Sequence, residues 1–197
     1  ILLGNQSGKN LTSGSANIAL GHYAMSADVT TGDQNIAIGK CAGQNISSGA
    51  SNVFMGYCAG MYSQTAKCNV FSGYSAGKCR QFGCYNIAFG NFALRGTSTP
   101  SNNSGNNNIG IGCGAGCRVK TGADNIALGQ LALGEADVTG KENVFIGKYV
   151  GKATTSGCYN VALGGAMCAG PGVTGSYNIA FGHRAGRCIT SGEGNIF

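Results

Sequence analysis

The chain has 197 residues, 36 of them Gly, with 2 Pro, no Trp, and thirteen Lys and Arg against seven Asp and Glu. Charge this sparse beside recurrent Ile, Val and Leu excludes a disordered tail, and Gly without a three-residue period excludes a collagen. The net charge of +6 favours anionic surfaces without specifying one.

From the first residues the chain is written in one phrase. It opens Ile1-Leu-Leu-Gly4, and the full form follows as Asn17-Ile-Ala-Leu-Gly21, Asn35-Ile-Ala-Ile-Gly39, Asn52-Val-Phe-Met-Gly56, Asn69-Val-Phe-Ser-Gly73 and Asn86-Ile-Ala-Phe-Gly90. After a longer interval come the phrases at Asn108, Asn125, Asn143, Asn160 and Asn178, and a truncated one at Asn195. A fixed period of 17 or 18 residues means one unit stacked on copies of itself, which predicts an all-β parallel solenoid rather than a globule with a cleft. The array of about eleven coils fills 1–197 as one domain, and its ends cut through the repeat without atypical caps, so the expectation is an internal stretch of a longer protein. No basic-then-apolar leader and no run of about 18 apolar residues is present, and neither membrane insertion nor a nucleic-acid partner is expected.

Counting each coil from its Asn, positions 2 to 4 read as a short strand with apolar residues on both faces. A strand buried on both sides needs a second layer. We expect the third-position residues Ala19, Ala37, Phe54, Phe71, Ala88, Ala127, Phe145, Ala162 and Ala180 to form a stripe that packs against other copies of the chain. Position 8 is mostly Ala, and a Ser/Thr-Gly pair precedes most Asn residues, which suits a tight turn with Gly at positive φ. The 22-residue interval from Asn86 to Asn108 carries Thr97-Ser-Thr-Pro-Ser-Asn-Asn-Ser-Gly105, read as a loop at 97–105 grafted on one coil. The stacked Asn side chains are read as a structural ladder whose amides bond along the stack.

Motifs with chemical overtones are absorbed by the repeat. Gly73-Tyr-Ser-Ala-Gly77 matches a nucleophile elbow, but the same columns elsewhere hold Cys or Arg in place of Ser75 and no helix follows. Gly110-Ile-Gly-Cys-Gly-Ala-Gly116 resembles a phosphate loop without its Lys and Ser or Thr. His22 and His183 lie nine coils apart, and no metal site, cofactor or enzymatic activity is expected. Position 10 is basic at Lys9, Lys78, Arg95, Lys152 and Arg187, a candidate edge for anionic glycans. Ten Cys, none in a CxxC pair, lean towards an oxidising, extracellular setting. Cys41 with Cys58, Cys68 with Cys84, and Cys168 with Cys188 are candidate disulfides from their columns on successive coils.

The phrase Asn-Ile-Ala-Ile-Gly-x-x-Ala-Gly followed by Ser/Thr-Gly-x-x-Asn resembles repeats of trimeric autotransporter adhesin heads, and in length those of phage and large-virus tail or surface fibres. The resemblance implies a left-handed β-roll, a homotrimer, and other fibre or virion components as partners. It points to a shaft or head segment that displays a receptor-binding tip outside the cell or on the virion. Binding of host-surface glycans by the segment itself is the alternative, and an ice-binding solenoid a further one, though here a single mixed Ser/Thr column stands where a flat Thr array would be needed.

Overall fold

The computed structural model describes residues 1–27, 29–99, 102–165 and 172–197. Eleven short strands follow in chain order: β1 (Leu2–Leu3), β2 (Ile18–Leu20), β3 (Ile36–Ile38), β4 (Val53–Met55), β5 (Val70–Ser72), β6 (Ile87–Phe89), β7 (Ile109–Ile111), β8 (Ile126–Leu128), β9 (Val144–Ile146), β10 (Val161–Leu163) and β11 (Ile179–Phe181). They form one sheet in sequential order, every pairing parallel, so the chain is an all-β parallel solenoid of about ten turns. Each Ile or Val at position 2 pairs with its counterpart one coil on, as Ile36 does with Val53. The longer interval leaves this register intact, since Ile87 still pairs with Ile109.

A second backbone ladder runs through positions 8 and 9. The N–H of Gly43 donates to the Ala59 carbonyl at 2.9 Å, Gly60 to Ala76, and Gly77 to Ala93, each one coil on. A third, looser wall is marked by isolated parallel bridges such as Val119 with Val138. Parallel pairing along the axis thus satisfies backbone groups that no single coil satisfies alone.

Two Gly columns are fixed by how closely the coils approach. At position 5 all eleven residues, Gly4 to Gly182, hold φ between 112° and 138°, and at Gly39, Gly56 and Gly73 a Cβ would lie 2.6 Å from the next coil's carbonyl oxygen. The Gly three residues before each ladder Asn except Asn69, which has Ala66 there, has a different reason. Its φ is not positive, contrary to the tight-turn expectation, yet a Cβ at Gly32 would stand 1.9 Å from the Gly49 oxygen and at Gly105 2.0 Å from that of Gly122. The nearby hydroxyls also reach across coils rather than into the local turn, as when Thr31 donates to the Ser47 carbonyl. Residues just before the ladder Asn take the left-handed conformation without being Gly, among them Gln34, Ser51 and Tyr85, each at φ 58°. Their N–H groups bond the preceding coil, which offsets the steric cost.

The core reverses one expectation. Ala19, Ala37, Phe54, Phe71, Ala88, Ala127, Phe145, Ala162 and Ala180 are all buried inside their own chain, so the third-position column is the interior and not a chain-chain surface. The outward face is made by positions 2 and 4, where Ile87, Phe89, Ile111 and Phe181 are exposed. The reason is the thinness of the coil: a three-residue strand turns either its middle residue or both flanks inward, and the interior has room for one.

Volume is conserved across that interior. Where position 3 is Phe, position 9 is Gly, as in Phe54 with Gly60, Phe71 with Gly77, and Phe145 with Gly151. Where position 3 is Ala, position 9 brings the bulk in Met25, Leu94 and Leu133. Beside Ala37 and Ala180 it is Gly43 and Gly186 instead, and the next coil reaches in: a Cβ on Gly43 would meet Phe54 at 2.9 Å and one on Gly186 would meet Phe197 at 3.2 Å. Leu94 also covers the coil that has Gly at both positions, since a Cβ on Gly110 would meet its Cγ at 2.8 Å and one on Gly116 its Cδ2 at 2.6 Å. Close packing with one large residue per level explains the pattern.

Compensation of this kind is testable by a swap. Phe71→Ala should cost about 3–5 kcal/mol through the cavity it opens. Gly77→Leu alone should cost about 1–3 kcal/mol by overpacking, because its Cβ would sit 2.2 Å from the Phe71 ring. The double variant should be more stable than Phe71→Ala in denaturant unfolding, since it recreates the Ala88 and Leu94 arrangement; strictly additive losses would disprove the volume rule.

Candidate functional site

The Asn column is a continuous buried ladder. Asn52 donates its backbone N–H to the Asn35 side-chain oxygen at 3.1 Å, its Nδ2 to the same oxygen at 3.0 Å, and Nδ2 again to the Ala66 carbonyl at 2.8 Å. The same bonds recur at Asn35, Asn69, Asn86, Asn108, Asn125, Asn143, Asn160 and Asn178, while Asn17 at the start accepts from Asn35 and donates to the Gly32 carbonyl, and Asn195 at the end donates to Asn178 alone. Each amide from Asn17 to Asn178 thereby donates and accepts within the stack, which leaves the interior of the column no free group to offer a ligand.

The five basic residues of position 10 do not act as one stripe. Lys9 and Arg187 stand exposed near opposite ends, and Lys152 is paired with Glu135 at 3.0 Å and lies over the Tyr149 ring. Lys78 and Arg95, on consecutive coils, are brought together. They line a concavity of about 330 Å³ with Tyr62, Cys79, Gly96 and Ser98. The loop at 97–105, of which Pro100 and Ser101 lie outside the described residues, thus contributes to the same place. Asn103 anchors the loop there: its Nδ2 donates to the carbonyls of Cys79, Thr97 and Thr99, and its oxygen accepts from the Thr97 N–H.

Behind this edge Arg80 is fully buried in a column that holds Ile46 and Val119 on other coils. Its Nη1 donates to the Gly105 carbonyl at 3.2 Å, while Nε and Nη2 have no partner among the described residues. Burial pushes its pKa down to about 10, which still leaves it a cation at neutral pH. The repeat pattern gave no signal of this charge in the core.

No bonded cysteine pair occurs among the described residues. Cys41 and Cys58 stack as free thiols in contact, and burial followed by that neighbour pushes the Cys41 thiol up. Cys68 and Cys84 are also free, with Cys84 Sγ donating to the Phe82 carbonyl. Cys168 lies outside the described residues, and Cys188 is exposed. Ser75 is buried in its repeat column with no helix beneath it. Among the described residues no group of three or more His, Cys, Asp or Glu is placed to hold a metal, and no helix is long and apolar enough to cross a membrane.

Fold and surface together define the class of this protein as a parallel β-solenoid repeat protein. No protein-family model, no curated protein and no solved structure matches the chain.

Two expectations follow. Asn125→Ala leaves the buried Asn143 N–H and Gly140 carbonyl without the side chain that serves them, and should cost about 2–5 kcal/mol in denaturant unfolding. The exposed Asn91→Ala should stay within about 0.5 kcal/mol. Thiol labelling by iodoacetamide at pH 8, read by mass spectrometry, should be fastest at exposed Cys68, Cys113 and Cys188. It should lag at Cys79 and Cys117, where burial raises the pKa and so lowers the thiolate fraction; equal rates would contradict the burial described.

Proposed function

We infer that this chain is a structural shaft or head segment of a homotrimeric fibre, left-handed in its coil, that holds a receptor-binding tip away from a cell or virion surface. The observation that carries this reading is the outer face of positions 2 and 4. It is apolar at every described coil except for Ser72 and runs roughly 50 Å at about 4.8 Å per coil. A contiguous exposed apolar stripe of that length marks an interaction surface. Parallel hydrogen bonding along the axis gives the stiffness a spacer needs. Assembly with other fibre or virion components and an extracellular or virion-surface location belong to the same reading.

A second reading is supported by charge. Between residues 34 and 123 there are seven Lys and Arg and no Asp or Glu, so the middle coils are suited to meet anionic surface glycans.

Mass measurement by multi-angle light scattering tests the first reading. The chain should run as three copies, and Phe89→Asp with Ile111→Asp should release monomers with unchanged circular dichroism, because both side chains are more than 40% exposed within one chain. A wild-type monomer would refute the trimeric fibre.

A further inference from the structure

The charge of this protein is concentrated. Residues 34–123 carry Lys40, Lys67, Lys78, Arg80, Arg95, Arg118 and Lys120 without a single carboxylate, whereas the flanking parts nearly cancel, so the middle coils supply the whole excess of +6. Arg118 and Lys120 share one carboxylate, that of Asp137, which both contact and which offsets one of their two charges. No carboxylate pairs with Lys78 or Arg95 among the described residues, and these two line the concavity together with Tyr62 and Ser98. Cys79, also in its wall, adds no negative charge, since burial holds its thiol above the ordinary value. The buried Arg80 cation lies one residue further on, in a medium that screens it poorly.

Beside the concavity runs a rail of aromatic side chains. The Arg95 guanidinium lies 5.2 Å from the Phe92 ring centre, Phe92 meets Tyr74 edge-on at 5.3 Å, and Tyr74 stacks on Tyr57 at 5.1 Å. Lys40 closes the row over Tyr57. Because Tyr57 and Tyr74 stack on each other along the solenoid axis, the faces between them are occupied. Both rings stay partly exposed, Tyr57 at 43% and Tyr74 at 47%, with no open face between them. That suits a hydroxyl-rich polymer better than nucleic-acid bases, which need open faces to stack.

We propose that the concavity of Tyr62, Lys78, Arg95 and Ser98 binds a sulfate or carboxylate group of an acidic polysaccharide whose chain continues along the Phe92, Tyr74 and Tyr57 rail. The Arg95 fork and the Lys78 ammonium receive the oxyanion, and the hydroxyls of Tyr62 and Ser98 donate to its remaining oxygens. The proposal rests on the second functional reading and is independent of the number of chains in the fibre.

Binding of dextran sulfate, neutral dextran and an oligo-dT strand of matched charge to the intact chain, by calorimetry at low and physiological salt, tests it. Dextran sulfate should bind, neutral dextran should not, and the affinity should fall with salt. Lys78→Gln and Arg95→Gln should each weaken binding about tenfold or more, as loss of a charge-assisted hydrogen bond does. Lys148→Gln and Arg187→Gln, which remove the same charge elsewhere, should change it less than about twofold. Light scattering and circular dichroism on each variant check that the solenoid is intact. Equal losses in all four variants would overturn the site and leave only a diffuse basic surface. Absence of dextran sulfate binding would overturn the site and the second reading together, and tighter binding of oligo-dT would overturn the polysaccharide assignment.

Discussion

Everything in this fold depends on backbone groups finding their partners one coil away. A three-residue strand has no stability of its own; its N–H and C=O groups are satisfied only because the neighbouring coil repeats the same conformation at the same height. In-register stacking therefore imposes sameness on the sequence. Gly fills position 5 of every coil and, apart from Ala66, the position three before the Asn, where a Cβ would crowd the next coil's carbonyl, and Asn is required where one amide has to serve the coil below and the coil above. The cost of the many left-handed residues is carried by the same stack.

Sameness along the axis coexists with variation across it. The interior admits one large side chain per level, contributed by position 3 or by position 9 or borrowed from an adjoining coil, so the sequence alternates Phe and Gly against Ala and Leu without disturbing the walls. Arg80 is the exception, a cation occupying interior volume with a single hydrogen bond. Replacing such a group by an apolar one is generally neutral or favourable for stability. Its retention beside the inserted loop, in the coils that lack carboxylates, fits a surface whose positive potential matters more than the last increment of stability.

The outer surface divides into two kinds of face. The strand face is apolar and featureless, as suits contact between identical chains over a long distance. At another corner Lys78, Arg95 and the loop converge, and there, among the described residues, the repeat is broken by charge and insertion together. A regular scaffold keeps its specific chemistry where the regularity is interrupted, because the repeated columns are already committed to their neighbours.

The period, the parallel stacking, the Gly columns and the Asn column were all legible in the sequence, because each is a local requirement that every coil must meet with the same residue. The direction in which the strand faces was not. Alternation states that Phe54 and Phe71 point opposite to Val53 and Val70, but not which side is the interior. That is decided by the closure of the coil, and the only trace of it in the sequence is the exchange of bulk between positions 3 and 9. The column of basic residues likewise identified Lys78 and Arg95 but grouped them with Lys9, Lys152 and Arg187. Stacking distance, the Glu135 ion pair and the anchoring of the loop by Asn103 were needed to separate them, since these are contacts between residues far apart in the chain.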